Sequence, residues 1–213
     1  MIFQDNVLKE YLKNVYFISG TPCGGKTTIS KYLARNYGLP VYDADQRFSQ
    51  HQEVSDPAFQ PAMNKKFANA DEFFGRSVEE YSRWLTESSR EQLDFVIMDL
   101  IRLSRDRKII CDCNLTVKQA ERITDVSRIA FLVKFPGNLV DDYCSRRDHR
   151  DFTGYINSCT DVRKAKAVCN RTLRKINEPR YLDIKNSRYF WVDRAENLTA
   201  EQTAGKVRQH FGW

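Results

Sequence analysis

The sequence lacks long apolar runs, paired-cysteine motifs and a secretion signal. Its longest apolar run, Ile129–Val133, has the length of a strand and falls far short of the roughly 18 residues that a membrane span needs. The first ten residues include Asp5 and Glu10 and do not show the basic start and apolar stretch of a signal peptide. The six cysteines form no C-x-x-C pair, the spacing typical of zinc sites and redox pairs. We therefore expect no membrane partner, a cytoplasmic location and reduced thiols.

Glycine and proline are also scarce, with 9 and 6 residues in a chain of 213, and no segment has the composition of a linker, a repeat or a low-complexity region. Hydrophobic residues make up 41% of the chain and aromatic residues 12%, which is enough to fill a core and excludes wholesale disorder. We predict one domain over residues 1–213, with a helical insertion on the substrate side at 55–104 and a basic lid region at 144–188.

Positive charge is concentrated in one segment. The net charge is +6, and residues 144–190 hold twelve Lys or Arg against five Asp or Glu, so the rest of the chain is nearly neutral. A protein that binds nucleic acid over its whole surface would be basic throughout. The segment has no aromatic residue between Tyr155 and Tyr181 on which the bases of a single strand could stack. Nucleic acid is therefore a possible partner but not the favoured one.

Short apolar segments alternate with helical patterns along the chain. Strands are predicted at 15–19, 41–42, 108–112, 128–135 and 189–192. Helices are predicted at 26–37, from about 116, at 161–176 and at 199–211, and two apolar stripes at helical spacing fall within 55–104. Strands that alternate with helices form a mostly parallel sheet with helices on both faces, and such sheets bind ligands beyond the carboxyl ends of their strands. The predicted fold class is α/β.

The segment between the first strand and the first helix, GTPCGGKTT, fits the phosphate-binding pattern G-x-x-x-x-G-K-[ST] at every fixed position. Gly20 and Gly25 let the backbone bend so that successive N–H groups point towards a phosphate, and the helix that follows adds the positive end of its dipole. Lys26 is expected to reach the β- and γ-phosphates of ATP, and the Thr27 hydroxyl is expected to bind Mg²⁺. The predicted nucleotide-binding residues of this loop are Gly20, Thr21, Pro22, Cys23, Gly24, Gly25, Lys26, Thr27 and Thr28.

Two carboxylates, Asp43 and Asp45, follow the second strand and should lie at the same sheet edge as the loop. If the strand continues, the two side chains share one face because residues two apart in a strand do so. Phosphoryl transfer to an alcohol uses a carboxylate that takes the proton of the acceptor. The pair therefore predicts an acceptor site.

The loop, the helix after it and the segment VYDAD at 41–45 resemble the shikimate-kinase-like group of small P-loop kinases, which includes gluconate kinases and chloramphenicol phosphotransferase. The resemblance implies a three-layer P-loop NTPase fold with a five-stranded sheet and a helical lid. It also implies that Asp43 lies near Mg²⁺, that Asp45 binds the acceptor hydroxyl or acts as its base, and that Arg194 lines the adenine pocket. The helices at 55–104 match no substrate pocket of the group, so the acceptor stays open.

A further acid that follows an apolar segment is expected to hold water on Mg²⁺. Asp99 and Asp112 both qualify, and we favour Asp112 because Asp99 lies in an apolar pattern that continues as a helix.

The basic segment begins near Arg146 and Arg150, which are four residues apart and would share one face of a helix. We expect both in a lid that closes over the nucleotide. Planar guanidinium groups there would neutralise charge on the phosphoryl group as it moves.

These observations favour a Mg²⁺-dependent phosphotransferase that moves the γ-phosphate of ATP to a hydroxyl of a small metabolite or drug. The predicted catalytic residues are Lys26, Asp45, Arg146 and Arg150, and the predicted metal ligands are Thr27, Asp43 and Asp112. Two alternatives stay open, a regulatory NTPase whose hydrolysis is read by a protein partner and a kinase that acts on nucleic-acid ends. The acceptor, the choice between ATP and GTP and the oligomeric state stay open as well.

Overall fold

A parallel sheet of five strands forms the centre of the fold. The computed structural model describes residues 3–145 and 150–213. The strands are β1 (Val15–Gly20), β2 (Val41–Asp43), β3 (Ile109–Asp112), β4 (Ile129–Val133) and β5 (Phe190–Asp193). They lie in the order β2-β3-β1-β4-β5, and all four neighbouring pairs run parallel. The predicted α/β class with a five-stranded parallel sheet is confirmed.

Helices lie on both faces of the sheet and give the fold three layers. In chain order they are α1 (Asp5–Tyr11), α2 (Lys26–Tyr37), α3 (Phe48–Val54), α4 (Ala70–Phe74), α5 (Val78–Leu103), α6 (Val117–Ile123), α7 (Leu139–Cys144), α8 (Arg150–Asn157), α9 (Val162–Lys185) and α10 (Ala200–Phe211). Among the described residues, no helix is long and apolar enough to cross a membrane.

The strands form where short apolar runs can be buried on both sides. All residues of β1, β3 and β4 are buried, as is usual for a parallel sheet that is covered on both faces. On one face, α2 and α10 pack against the sheet through a core that includes Ile29, Leu33, Ala204, Val207 and Phe211. This packing therefore fixes the position of α2, whose first residues belong to the phosphate-binding motif.

Polar residues set the helix ends where the sequence predicts them. α6 and α10 each begin with a capping box, in which the side chains of Thr116 and Thr199 accept hydrogen bonds from backbone N–H groups in the first turn. α2 ends at Gly38, which adopts the left-handed conformation at φ +63°. The predicted bounds of α2 are confirmed.

The chain forms two compact units. The first unit contains the whole sheet and consists of Met1–Phe48, Phe95–Phe135 and Arg180–Trp213. The second unit is helical and consists of Ser49–Asp94 and Pro136–Pro179.

The core of the second unit is rich in aromatic rings and encloses one cation. The guanidinium carbon of Arg76 lies 4.2–4.8 Å from the centroids of four rings, those of Phe67, Phe73, Tyr81 and Trp84. Its Nε donates to the backbone carbonyl of Phe73 at 2.8 Å. Ring faces stabilise a desolvated cation through their quadrupoles, so this arginine helps to hold the aromatic core together.

One helix is longer than the sequence pattern predicts. The prediction ends it at residue 176, whereas α9 continues through Pro179 to Lys185. Proline lacks the N–H that the helix ladder uses, which is why it usually ends a helix. Here contacts of the last turns with β5 hold the helix beyond the proline.

Candidate functional site

The GTPCGGKTT segment joins β1 to α2 at the carboxyl edge of the sheet, and Thr21 fastens it to β4. The N–H of Thr21 donates to Leu132 O at 3.3 Å, and its hydroxyl donates to Lys134 O at 2.9 Å. The N–H of Lys134 donates back to the same hydroxyl at 2.7 Å. The loop is therefore held in one position against its neighbouring strand.

Two glycines let the loop pass directly over the backbone of β4. A Cβ atom at Gly20 would lie 2.0 Å from Leu132 O, and one at Gly24 would lie 2.2 Å from the same atom. Gly25 adopts φ +98°, and Arg194 Nη1 lies 3.5 Å from the position its Cβ would take. A loop curled in this way directs successive N–H groups inward, and the start of α2 adds its dipole. The shape of the loop therefore fits the phosphate groups that the sequence motif predicts.

Lys26 begins α2, and its ammonium group lies over the loop. Its Nζ donates to Thr21 O at 3.0 Å. Burial lowers the pKa of Lys26, the charges of Asp112 and Asp45 oppose this change, and the charge of Arg180 reinforces it. A desolvated ammonium group at the mouth of the loop is placed to bind the anionic end of a nucleotide.

Asp43 and Asp112 end neighbouring strands and are paired in register. Asp112 is only 6% exposed, and burial raises its pKa to about 6, although the charge of Lys26 and a hydrogen bond with Thr27 act in the opposite direction. Its Oδ2 atom is buried and has no hydrogen-bond partner among the described residues. A buried carboxylate oxygen without a partner is costly unless a cation or a donor reaches it.

Asp45 does not continue β2, contrary to the expectation that it shares a strand face with Asp43. Oδ1 of Asp43 accepts hydrogen bonds from the N–H groups of Asp45 at 3.1 Å and Gln46 at 3.2 Å. These bonds favour a turn over a strand, and the chain forms a 3₁₀ turn at Asp45–Arg47. The exposed side chain of Asp45 instead accepts a hydrogen bond from Asn114 Nδ2 at 3.2 Å, at the end of the neighbouring strand β3.

The predicted metal ligands fit a cation that arrives with the nucleotide. Within the described part of the chain, no group of three or more His, Cys, Asp or Glu side chains could hold a metal ion. Mg²⁺ at nucleotide sites takes most of its ligands from phosphates and water and only one or two from the protein. The buried Oδ2 of Asp112 and the Thr27 hydroxyl that bonds to the same carboxyl group supply such oxygens.

A groove lies beside the loop within the first unit. It is lined by Gly24, Gly25, Thr28, Ile29, Leu132, Val192, Asp193, Arg194, Leu198, Ala200 and Thr203. Apolar walls with a few polar groups are typical of sites for small organic molecules. Arg194 is thus part of a groove that adjoins the loop, and its place in an adenine pocket stays a prediction.

Three other residues considered in the sequence analysis are Asp99, Arg146 and Arg150. Asp99 lies in α5 and accepts a hydrogen bond from the Tyr42 hydroxyl at 2.9 Å, so it supports β2 instead of following a strand. Arg146 lies outside the described residues, and Arg150 is the exposed first residue of α8. The lid function of these two arginines stays a prediction.

Arg180 is a candidate site residue that the sequence analysis did not name. Its charge acts on Lys26 and on Cys113, the residue after β3. In the sequence it is one of twelve basic residues in a charged segment and lies beyond the predicted end of the helix. Asn177, Arg180 and Ile184 have the spacing of one helix face, and Asn177 and Ile184 are buried. This spacing is the sequence signal that could have assigned Arg180 to a face packed against the protein.

The sequence matches no protein-family model and no curated protein. Among solved structures, shikimate kinase from Bacteroides thetaiotaomicron is similar to this chain with a TM-score of 0.52 and 14% sequence identity, over 93% of this chain and 98% of that chain. Shikimate kinase from Acinetobacter baumannii in complex with shikimate has a TM-score of 0.47 and 17% identity, over 92% of this chain and 90% of that chain. At such identities the likeness concerns the fold alone, and the chain shares the three-layer α/β fold with the Bacteroides thetaiotaomicron structure.

Proposed function

We propose that the protein transfers the γ-phosphate of ATP to a hydroxyl group of a small molecule in a Mg²⁺-dependent reaction. The observation that carries the proposal is the position of the desolvated Lys26 ammonium group close to the carboxylates of Asp112 and Asp45 at the phosphate loop. A loop that only binds nucleotide needs the glycines and the lysine. An exposed carboxylate next to them is what an acceptor hydroxyl requires in order to lose its proton.

On the donor side, the N–H groups of the loop and the ammonium group of Lys26 hold the triphosphate. When bound, Mg²⁺ neutralises charge on the β- and γ-phosphates and keeps them in line for transfer. Thr27, Asp43 and Asp112 would hold it, Asp112 through its buried Oδ2 atom. Asp43 and Asp112 end two neighbouring strands, and Thr27 lies in the first turn of α2, so regular elements set the positions of all three.

The groove beside the loop supports ATP as the donor. Its apolar residues, such as Ile29 and Val192, offer walls for a flat base, and Arg194 offers a guanidinium plane next to the phosphate cradle. Thr28 lines the same groove at its phosphate end and is the proposed contact for the α-phosphate.

On the acceptor side, Asp45 is the proposed base. Asn114 donates a hydrogen bond to one of its oxygens and so fixes the orientation of an otherwise exposed carboxylate. The carboxylate would take the proton of the acceptor hydroxyl as the new phosphorus–oxygen bond forms. Arg146 and Arg150 keep their proposed task of neutralising charge on the moving phosphoryl group.

A transfer assay with labelled nucleotide tests the proposal. The protein is incubated with γ-labelled ATP, Mg²⁺ and a fractionated extract of small molecules, in parallel with the Lys26→Ala and Asp45→Asn variants. Asp106→Asn is the matched control, because Asp106 is exposed in the turn before β3, at the opposite edge of the sheet. We expect label in a small molecule with the wild type and the control, loss of transfer in both site variants, and nearly unchanged nucleotide affinity in Asp45→Asn.

Other outcomes would contradict parts of this proposal. Normal transfer by Asp45→Asn would show that Asp45 is not the base. Label that appears only as free phosphate, with equal rates in the wild type and Asp45→Asn, would favour a regulatory NTPase. Label on added oligonucleotides, with binding that falls steeply as salt is raised, would favour a kinase for nucleic-acid ends.

A further inference from the structure

The last turns of α9 are fixed at the carboxyl edge of the sheet. The Tyr181 hydroxyl donates to Asp193 Oδ2 at 2.6 Å, and Lys185 Nζ donates to the same oxygen at 3.2 Å. The rings of Phe135 and Tyr181 pack edge to face with their centroids 5.4 Å apart. Since Asp193 ends β5 and Phe135 follows β4, the helix turn that contains Arg180 is held at the carboxyl ends of these two strands, and β4 is the strand to which Thr21 of the loop is bonded.

From this position Arg180 is close enough to the loop for its charge to act there. Its charge acts both on Lys26, at the start of α2, and on Cys113, which follows β3. Lys26 belongs to the loop that follows β1, and Cys113 follows the neighbouring strand β3, so both residues affected by Arg180 lie at the carboxyl ends of adjacent strands.

The positive charge of Arg180 is not balanced by the described part of the chain. No described residue forms a hydrogen bond or an ion pair with its guanidinium group. Burial lowers the pKa of Arg180, and only the Cys113 thiol acts against this change, whereas Lys26 has the charges of Asp112 and Asp45 beside it. Two desolvated cations close together, one of them without an anionic partner, need an anion between them.

We propose that Arg180 is a catalytic residue that binds the phosphoryl group during its transfer. The inference rests on the proposed function and adds a cation that is fixed in the sheet-containing unit. In the step, the bond between the γ-phosphorus and the bridging oxygen breaks, and ADP leaves with the electron pair. A bond forms from the acceptor oxygen to the γ-phosphorus, and the acceptor proton goes to Asp45. The guanidinium group donates N–H bonds to the equatorial oxygens of the phosphoryl group, where charge is spread in the transition state.

Trapping of a transition-state analogue tests this assignment without knowledge of the acceptor. Full-length protein is mixed with ADP, Mg²⁺ and aluminium fluoride, which mimics the planar phosphoryl group, and retained ADP is measured. We expect Arg180→Met to bind ADP alone within about threefold of the wild type and to lose trapping by a factor of about 100 or more. Arg180→Lys, which keeps the charge and loses the fork of donors, should recover a small part of the trapping.

Arg105→Met is the matched control, because Arg105 is exposed in the turn before β3 at the other edge of the sheet. Urea unfolding of each variant shows whether a loss of trapping comes from a loss of structure. The inference is overturned if Arg180→Met traps as the wild type does, if it loses ADP affinity to the same extent as trapping, or if the wild type shows no trapping.

These outcomes are distinguishable from failure of the proposed function. If the wild type labels a small molecule but Arg180→Met still traps the analogue, the inference alone fails. If no acceptor is labelled but trapping depends on Arg180, the residue stabilises a transferred phosphoryl group in an NTPase, and the proposed acceptor chemistry fails instead.

Discussion

Replacement of Asp112 by asparagine is expected to make the folded protein more stable at neutral pH while it impairs catalysis. The carboxyl group is buried at the end of β3, and one of its oxygens has no hydrogen-bond partner among the described residues. An ionised group in that position is disfavoured by the fold in the absence of Mg²⁺. An amide of the same shape carries no charge and avoids this cost.

The size of the effect follows from the pKa of Asp112, which burial raises from 3.8 to about 6. A raised carboxyl pKa means that the fold prefers the protonated form, so stability is present at low pH and is lost as the pH rises from about 4 through about 6. The difference of about two pKa units corresponds to about 3 kcal/mol at neutral pH, since one unit is worth about 1.4 kcal/mol. Asparagine should recover about that amount.

The measurement is urea unfolding in EDTA at pH 7.5 and pH 4.5, with Asp106→Asn as the control for the change from carboxylate to amide at an exposed site. We expect Asp112→Asn to exceed the wild type by about 3 kcal/mol at the higher pH and by about 1 kcal/mol at the lower pH. A variant that is less stable than the wild type at pH 7.5, or a difference that does not change with pH, would refute the reasoning. The same variant should lose Mg²⁺-dependent transfer in the labelled-ATP assay.

Three further substitutions test the loop, α10 and the helical unit. Gly24→Ala should lower the free energy of unfolding by about 1–3 kcal/mol and abolish ATP binding, because its Cβ would lie 2.2 Å from Leu132 O. Gly205→Ala in the middle of α10 should raise the free energy of unfolding by about 0.5–1 kcal/mol, because a Cβ there meets no atom within 4 Å. Urea unfolding measures both changes, and equal effects of the two would contradict the argument. The buried carboxylate of Glu91 accepts hydrogen bonds from two backbone N–H groups, so Glu91→Leu should lower the free energy of unfolding by roughly 1–3 kcal/mol for each of them. Thermal unfolding that matches the wild type would count against this role.

The sheet and the phosphate loop could be predicted from the sequence because their signals are local. Strands buried on both faces appear as short apolar runs, and the residues of β1 are all buried. The motif around Lys26 has fixed spacing, and the capping residues Thr116 and Thr199 mark where α6 and α10 begin. Each of these features depends on residues within a few positions of one another.

The rest of the site depends on contacts between distant residues. Asp45 leaves the strand because the side chain of Asp43 captures two backbone N–H groups, a competition that alternation alone does not reveal. α9 continues past Pro179 because Tyr181 and Lys185 bond to Asp193, which lies at the end of another strand. Arg180 could not be assigned to the site for the same reason, since its placement follows from that helix extension.

The order of the strands has a consequence for the synthesis of the protein. The phosphate loop follows the first strand, but the groove beside it is completed by Asp193 and Arg194, which follow the last strand, β5. When only β1 and α2 of a nascent chain have emerged from the ribosome, the glycines and the lysine of the loop are present without the far wall of the groove. The groove is completed only after β5 has emerged and paired with β4, so ATP binding of the proposed kind requires nearly the whole chain.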